Sequence, residues 1–307
     1  SSAISDIRSA KFQMWRLAKA SAARDACTMD HARRVVARLG VGAAYDSGAA
    51  APSTGTSILL FDRHVEKNGG GSLRLSMQDS NCTFHGQGAT KSTFLRIAHH
   101  LQHNDSTCVE AHSPVADDWL DRIAKISCSN CKKLTALRIR RPDDHYRSFY
   151  AWGGPSWVNF SDWFPGNLQT AILRHSYSAV VAQRNQTIPS VGEAECDAVA
   201  RMVRRVDFLY ATEESDCFLP ELRRRTGFSL PKKHWHEPPK PQSRHNRHHL
   251  PLASQILRLS EEHAWCDWVL YRVALERDVC GRKRSLGTQI GYPRSGRWVP
   301  KFAVESS

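Results

Sequence analysis

No stretch of eighteen apolar residues occurs in the chain, so no segment of it reads as a membrane-spanning helix. The first thirty residues lack the unbroken apolar stretch of a signal peptide. Cysteine is sparse: nine in 307 residues is too thin for a small disulfide scaffold, and the odd number leaves at least one unpaired or paired with another molecule. Asparagine is scarcer still, yet four of the eight asparagines stand in N-x-S/T sequons, at Asn81, Asn104, Asn159 and Asn185. That excess points to a secretory-pathway lumen, where glycans and disulfides are both permitted. Acidic residues are outnumbered 30 to 43 by Lys and Arg, leaving a net charge of +13. Such a field favours an anionic partner without choosing among nucleic acid, acidic glycan, nucleotide and membrane surface. With 41% apolar and 24% charged residues, the composition excludes wholesale disorder, collagen and coiled coil.

Residues 1–56 read as a helical, Ala- and Arg-rich leader closed by a Gly/Ala/Ser/Pro/Thr linker. An organised domain follows over residues 57–285, with a C-terminal tail at 286–307. Ile58–Phe61 is a short apolar strand, followed by a Gly-rich turn and a helix within residues 72–80. Thr107–His112 reads as a second strand, with a helix from Val115 to Ile126 after it. Leu134–Ile139 reads as a third strand, running into a helix opened by Pro142 and two acids. Helices are expected at Asn167–His175, Val191–Arg205 and Ser215–Thr226, with a strand at Val206–Tyr210 and one long amphipathic helix over Leu252–Val279. Alternating strands and helices predict an α/β fold with a parallel sheet, whose ligands sit at the carboxyl ends of the strands.

Two segments carry chemistry. In His64-Val-Glu-Lys-Asn-Gly-Gly-Gly-Ser72, a glycine-rich turn between strand and helix lets backbone amides approach an anion, and the helix adds its positive end. Lys67 precedes the glycines, so this is not the G-x-x-x-x-G-K-[ST] nucleotide-triphosphate loop. In Arg140–Tyr150, Arg140 at a strand end and Ser148 two turns on form a second candidate anion clamp.

Taken together, Lys67-x-Gly69-Gly70-x-Ser72 and Arg140-x-Pro142 with Ser148 and Tyr150 resemble the 5′- and 3′-phosphate-binding elements of sulfotransferases that use 3′-phosphoadenosine-5′-phosphosulfate (PAPS). The resemblance is closest to the Golgi carbohydrate sulfotransferases that include the heparan sulfate 2-O type, and covers about residues 57 to 280. Asn167–Leu173, Phe208–Glu214 and the late helix follow the same order. Two positions depart from the pattern: His145 stands where Arg is usual, and Gly71 where Thr is usual.

The resemblance implies a P-loop nucleotide-kinase-like three-layer fold, with a central parallel sheet flanked by helices. It implies a metal-free sulfuryl transfer from PAPS to an acceptor hydroxyl, releasing adenosine 3′,5′-bisphosphate. Lys67 would stabilise the leaving oxygen, Asn68, Gly69, Gly70, Gly71 and Ser72 would hold the 5′-phosphate, and Arg140 and Ser148 the 3′-phosphate. His112 would be the general base, with Glu66 in reserve, while His64 packs or hydrogen-bonds within the strand. The expected partner is a glycan hydroxyl, acidic or neutral, rather than nucleic acid. The expected place is the Golgi lumen, reached through an anchor upstream of Ser1. The rival readings are a basic polyanion-binding module without catalysis and a nucleotide-dependent phosphotransferase. Cys128-x-x-Cys131 reads as a disulfide or two free thiols, and the His-rich loop at 234–249 as a solvated linker with some capacity for metal or acidic polymer.

Overall fold

The computed structural model describes residues 34–35, 53, 55–65, 68, 70–86, 91–111, 118–153, 159–175, 191–231 and 251–277. Its centre is a five-stranded, all-parallel sheet in the order β2-β3-β1-β4-β5. In chain order the elements are β1 (Ser57–Arg63), α1 (Gly70–Gln78), β2 (Thr83–Gly86), α2 (Lys91–Gln102), β3 (Thr107–Ala111), α3 (Trp119–Lys125), β4 (Cys131–Ile139) and α4 (Pro142–Gly153). There follow α5 (Phe160–Trp163), α6 (Leu168–His175), α7 (Glu193–Arg205), β5 (Phe208–Ala211), a 3-10 turn (Thr212–Glu214), α8 (Ser215–Thr226), α9 (Ala253–His263) and α10 (Trp265–Glu276).

Every residue of β1, β3 and β5 is buried, the pattern of strands covered on both faces. The two faces have separate apolar layers. Leu59, Phe61, Val109, Leu137 and Ile139 point into one, with Trp119, Tyr146 and Trp268. Ile58, Leu60, Leu134, Phe208 and Tyr210 point into the other, with Leu73, Met77 and Phe218. Val35 is buried in the first layer, and Arg34 pairs with Glu193. Local signals set the ends of several helices. Pro142 opens α4 with Asp143 and Asp144 in its first turn, and Gly227 ends α8 at φ 72°. Among the described residues, no helix is long and apolar enough to cross a membrane.

Four elements, β2, α2, the short α5 and the 3-10 turn, are additions to the expected set; β2 puts a strand outside β3 and makes β1 the middle of the sheet. Nor does one helix span Leu252–Val279. Ala264 leaves the helical region at φ −118°, ψ 44° and separates α9 from α10. The physical reason is tertiary: the Asn167 side chain accepts from Cys266 N at 2.7 Å, capping a new helix start. At the same place His263 O lies 2.9 Å from where a Cβ on Gly166 would stand, and Gly166 has φ 63°, so only glycine fits that approach. The expected apolar face survives, since Ile256, Trp268 and Val269 are buried on either side of the break.

Disulfides join Cys82 to Cys108, Cys128 to Cys131 and Cys196 to Cys266, and Cys217 is disulfide-bonded as well. The first staples the start of the edge strand β2 to its neighbour β3.

Candidate anion site at the strand ends

From β1 the chain leaves toward β2 and β3 on one side of the sheet, whereas β4 leads to β5 on the other. The order therefore switches direction between β1 and β4, where open parallel sheets form a crevice beyond their carboxyl ends. Both segments singled out in the sequence emerge there.

Asn68, which follows β1, is fully buried. Its Nδ2 donates to Arg138 O at 2.9 Å and to Gln169 Oε1 at 2.8 Å. The same Gln169 oxygen accepts from Arg140 N at 2.9 Å, and Gln169 Nε2 donates to Arg140 O at 2.8 Å. One glutamine thus binds the Gly-rich turn to the end of β4. Thr212, just after β5, adds hydrogen bonds from its hydroxyl to Asn68 O at 3.2 Å and Ile139 O at 3.4 Å. Beyond Asn68, Gly70, Gly71 and Ser72 form the first turn of α1.

Gln169 is held by its own helix start. Asp267 of α10 accepts from Gln169 N through Oδ2 and from Thr170 N through Oδ1, both at 2.9 Å, and from the Thr170 hydroxyl at 2.7 Å. Burial pushes the Asp267 carboxyl up to about 6, against the opposing pull of these three donors.

Beside this network lies a buried charge cluster. Arg138 Nη2 donates to Asp62 Oδ2 at 2.9 Å and stands 3.4 Å from His64 Nδ1. His64 Nδ1 is 3.7 Å from Glu110 Oε1, and Arg74 of α1 reaches Glu110 Oε2 at 3.8 Å. Burial pushes the neighbouring Tyr210 hydroxyl well above its ordinary range. Arg63 donates to the carbonyls of His64, Ala111 and Ile172 at 2.8, 3.1 and 3.2 Å, tying β1 to β3 and α6. Ligand atoms of Asp62, His64 and Glu110 lie within 4.8 Å of one another. The Arg138 guanidinium already supplies a cation among them, so the donor set does not fit a metal ion without displacing it.

Of the residues named from the sequence, Glu66, Lys67, Gly69 and His112 lie outside the described residues. Asn68 and Arg140 come together through Gln169. Ser148 is half-buried in the second turn of α4. His145 is fully buried, 5.9 Å from the Phe149 ring centroid, and presents no surface charge. Glu213, exposed in the 3-10 turn after β5, stands near Arg140, and its ionised form would oppose an incoming anion. Arg141 is engaged bidentately by Asp143 at 2.7 and 2.8 Å. Trp163 packs among Tyr146, Phe149, Tyr150 and Phe160, while Trp152 is 38% exposed.

Gln169, Asp267, Thr212, Arg138 and Glu110 acquire their roles only in the fold. Charged residues at the end of otherwise apolar strands, as in Leu60-Phe61-Asp62-Arg63 and Leu137-Arg138-Ile139, were the available signal, because such positions are buried and need partners.

Fold and site together define an α/β protein with a hydrogen-bonded polar network at the switch point of a parallel sheet. The chain matches no protein-family model, no curated protein and no solved structure.

Proposed function

We propose that the chain is a PAPS-dependent sulfotransferase acting on an acceptor hydroxyl, with a glycan as the acceptor class. The observation that carries the reading is the sharing of Gln169 by Asn68 and Arg140. A bisphosphorylated adenosine needs two anion-binding elements held at a fixed separation, and a common buried glutamine supplies that constraint. The strand order around a central β1 is compatible with a nucleotide-kinase-like core, and the basic excess of the chain attracts a cofactor of this charge.

In the proposed reaction the acceptor oxygen forms a bond to sulfur as the bond from sulfur to the bridging phosphate oxygen breaks. Lys67 neutralises charge on that leaving oxygen, amides from Asn68 to Ser72 hold the 5′-phosphate, and Arg140 with Ser148 holds the 3′-phosphate. The acceptor proton passes to His112, with Glu66 as the alternative base. Sequons and disulfides together support a lumenal, Golgi setting.

Calorimetric titration with adenosine 3′,5′-bisphosphate, against ATP with and without Mg²⁺, tests the reading. Binding of the bisphosphate that is lost in Lys67→Ala supports it. Binding of ATP with Mg²⁺ alone would favour a phosphotransferase, and equal weak binding of all polyanions a non-catalytic module.

A further inference from the structure

Four histidines converge at the sheet edge, away from the network that joins Asn68, Gln169 and Arg140. His99 and His100 lie in the last turn of α2, His103 just beyond it, and His85 on β2 beside them. The ring centroids of His99 and His103 are 4.5 Å apart, those of His99 and His100 5.8 Å, and those of His85 and His100 5.2 Å. The two members of the first pair are separated by four residues, so they rise one above the other on one helix face. The helical hydrogen bonding reaches the second of them, since His103 N donates to His99 O at 3.2 Å. Both are exposed. The chain reaches β3 four residues later, placing the pair at the opposite end of that strand from Glu110.

We propose that His99 and His103 chelate one divalent cation of the zinc class at the end of α2. Two imidazoles at this spacing present nitrogen ligands to a single ion from a backbone that the helix already fixes, and water completes the tetrahedral set. Nitrogen-only donors select zinc or copper over calcium or magnesium, which require oxygen. The neighbouring pair is less suited. His85 Nε2 is buried, and the imidazole faces the positive charge of Arg96. His100 is turned toward Asp105, its Nδ1 3.3 Å from the Asp105 carboxylate, which leaves Asp105 as a source of negative potential beside the chelate. Among the described residues no third histidine, cysteine or carboxylate closes a cage with His99 and His103, so the site is open and exchanges metal with solvent.

The site is independent of the sulfotransferase reading and is tested separately. The full chain is titrated with zinc chloride by calorimetry, counting equivalents, alongside a His99→Ala/His103→Ala double variant and a control, His263→Ala, an exposed histidine on α9. Loss of one equivalent in the double variant, with the control unchanged, is the expected result. An unchanged stoichiometry and affinity in the double variant overturns the proposal, as does an equal loss in the control. Should the double variant not fold, His103→Ala alone decides the matter, since one imidazole does not chelate. Zinc-edge anomalous diffraction from zinc-soaked crystals is expected to place a peak between the two rings, and a peak only elsewhere counts against it.

Discussion

Asn167 and Asp267 cap each other's helices. The Asn167 carboxamide accepts from Cys266 N, at the start of α10, while the Asp267 carboxylate, from that same first turn, accepts from Gln169 N and Thr170 N at the start of α6. Two helix starts separated by about a hundred residues of chain are therefore fixed as one unit. Gln169, the first residue that unit orients, is the side chain that joins Asn68 to Arg140.

Replacing Gln169 by Leu keeps the volume and removes three hydrogen bonds at once. Buried groups left unsatisfied cost about 1–3 kcal/mol each. We expect a lower melting temperature together with weaker bisphosphate binding. Gln169→Glu is expected to restore part of the stability but not the binding, because a carboxylate cannot donate to Arg140 O and adds negative charge. Calorimetry and thermal melts separate the two effects.

Asp267 makes stability depend on pH. Its folded value is raised from 3.8 to about 6, so between those limits the native state binds more protons than the unfolded chain, and stability falls as pH rises through that window. A tenfold change in proton affinity on folding is worth about 1.4 kcal/mol. Asp267→Asn does not titrate, so the wild type's stability relative to that variant is expected to decline from pH 4 to pH 6 and then level off. Urea denaturation of both proteins across pH 4 to 7 measures this, and a difference that is flat or grows with pH would refute it.

The Arg138–Asp62 pair is buried on both sides. Truncating one partner of such a pair strands the other charge and costs about 3–5 kcal/mol. Arg138→Met is expected to lose that much, whereas Arg138→Met combined with Asp62→Asn recovers a portion. Additive losses in the double-mutant cycle would show that the two charges are not coupled.

Cys196 of α7 and Cys266 of α10 are 70 residues apart in sequence. Replacing both by Ala is expected to cost about 2–5 kcal/mol. Because Cys266 N is also the donor to Asn167, the same variant should loosen the start of α6, measured as faster amide exchange at Gln169 and Thr170.

Among the sequons, Asn159 accepts from Asp162 N at 2.9 Å as the cap of α5, and Asn81 accepts from Ser229 N at 2.9 Å. Asn104 is exposed in a turn at φ 60°. Expression through a secretory pathway is expected to glycosylate Asn104 ahead of Asn159, so Asn104→Gln should shift the glycoprotein mass more than Asn159→Gln.

Strands with continuous apolar runs were legible in the sequence, and so were helix ends with local chemistry. Pro142 with its two acids and Gly227 mark α4 and α8 where they were expected. β2 was not legible, because its four residues, Thr83-Phe84-His85-Gly86, carry neither a run nor an alternation long enough to read. The break at Ala264 was invisible for a different reason: it answers to Asn167 and Gly166, distant in the chain, while the local pattern continues undisturbed. The Gly-rich turn and Arg140 stood out as candidates for anion binding, but the residue that unites them, Gln169, looks like any polar residue at a helix start until the fold places it.

The bridge from Cys82 to Cys108 bears on how the molecule comes apart. The outermost ribbon of the sheet holds on through a ladder of only four residues, and this covalent clasp fastens the end where the ribbon begins. In a reducing medium that margin is free to peel first, baring the flank of β3 to any other extended chain, whereas the oxidised molecule must be undone from elsewhere.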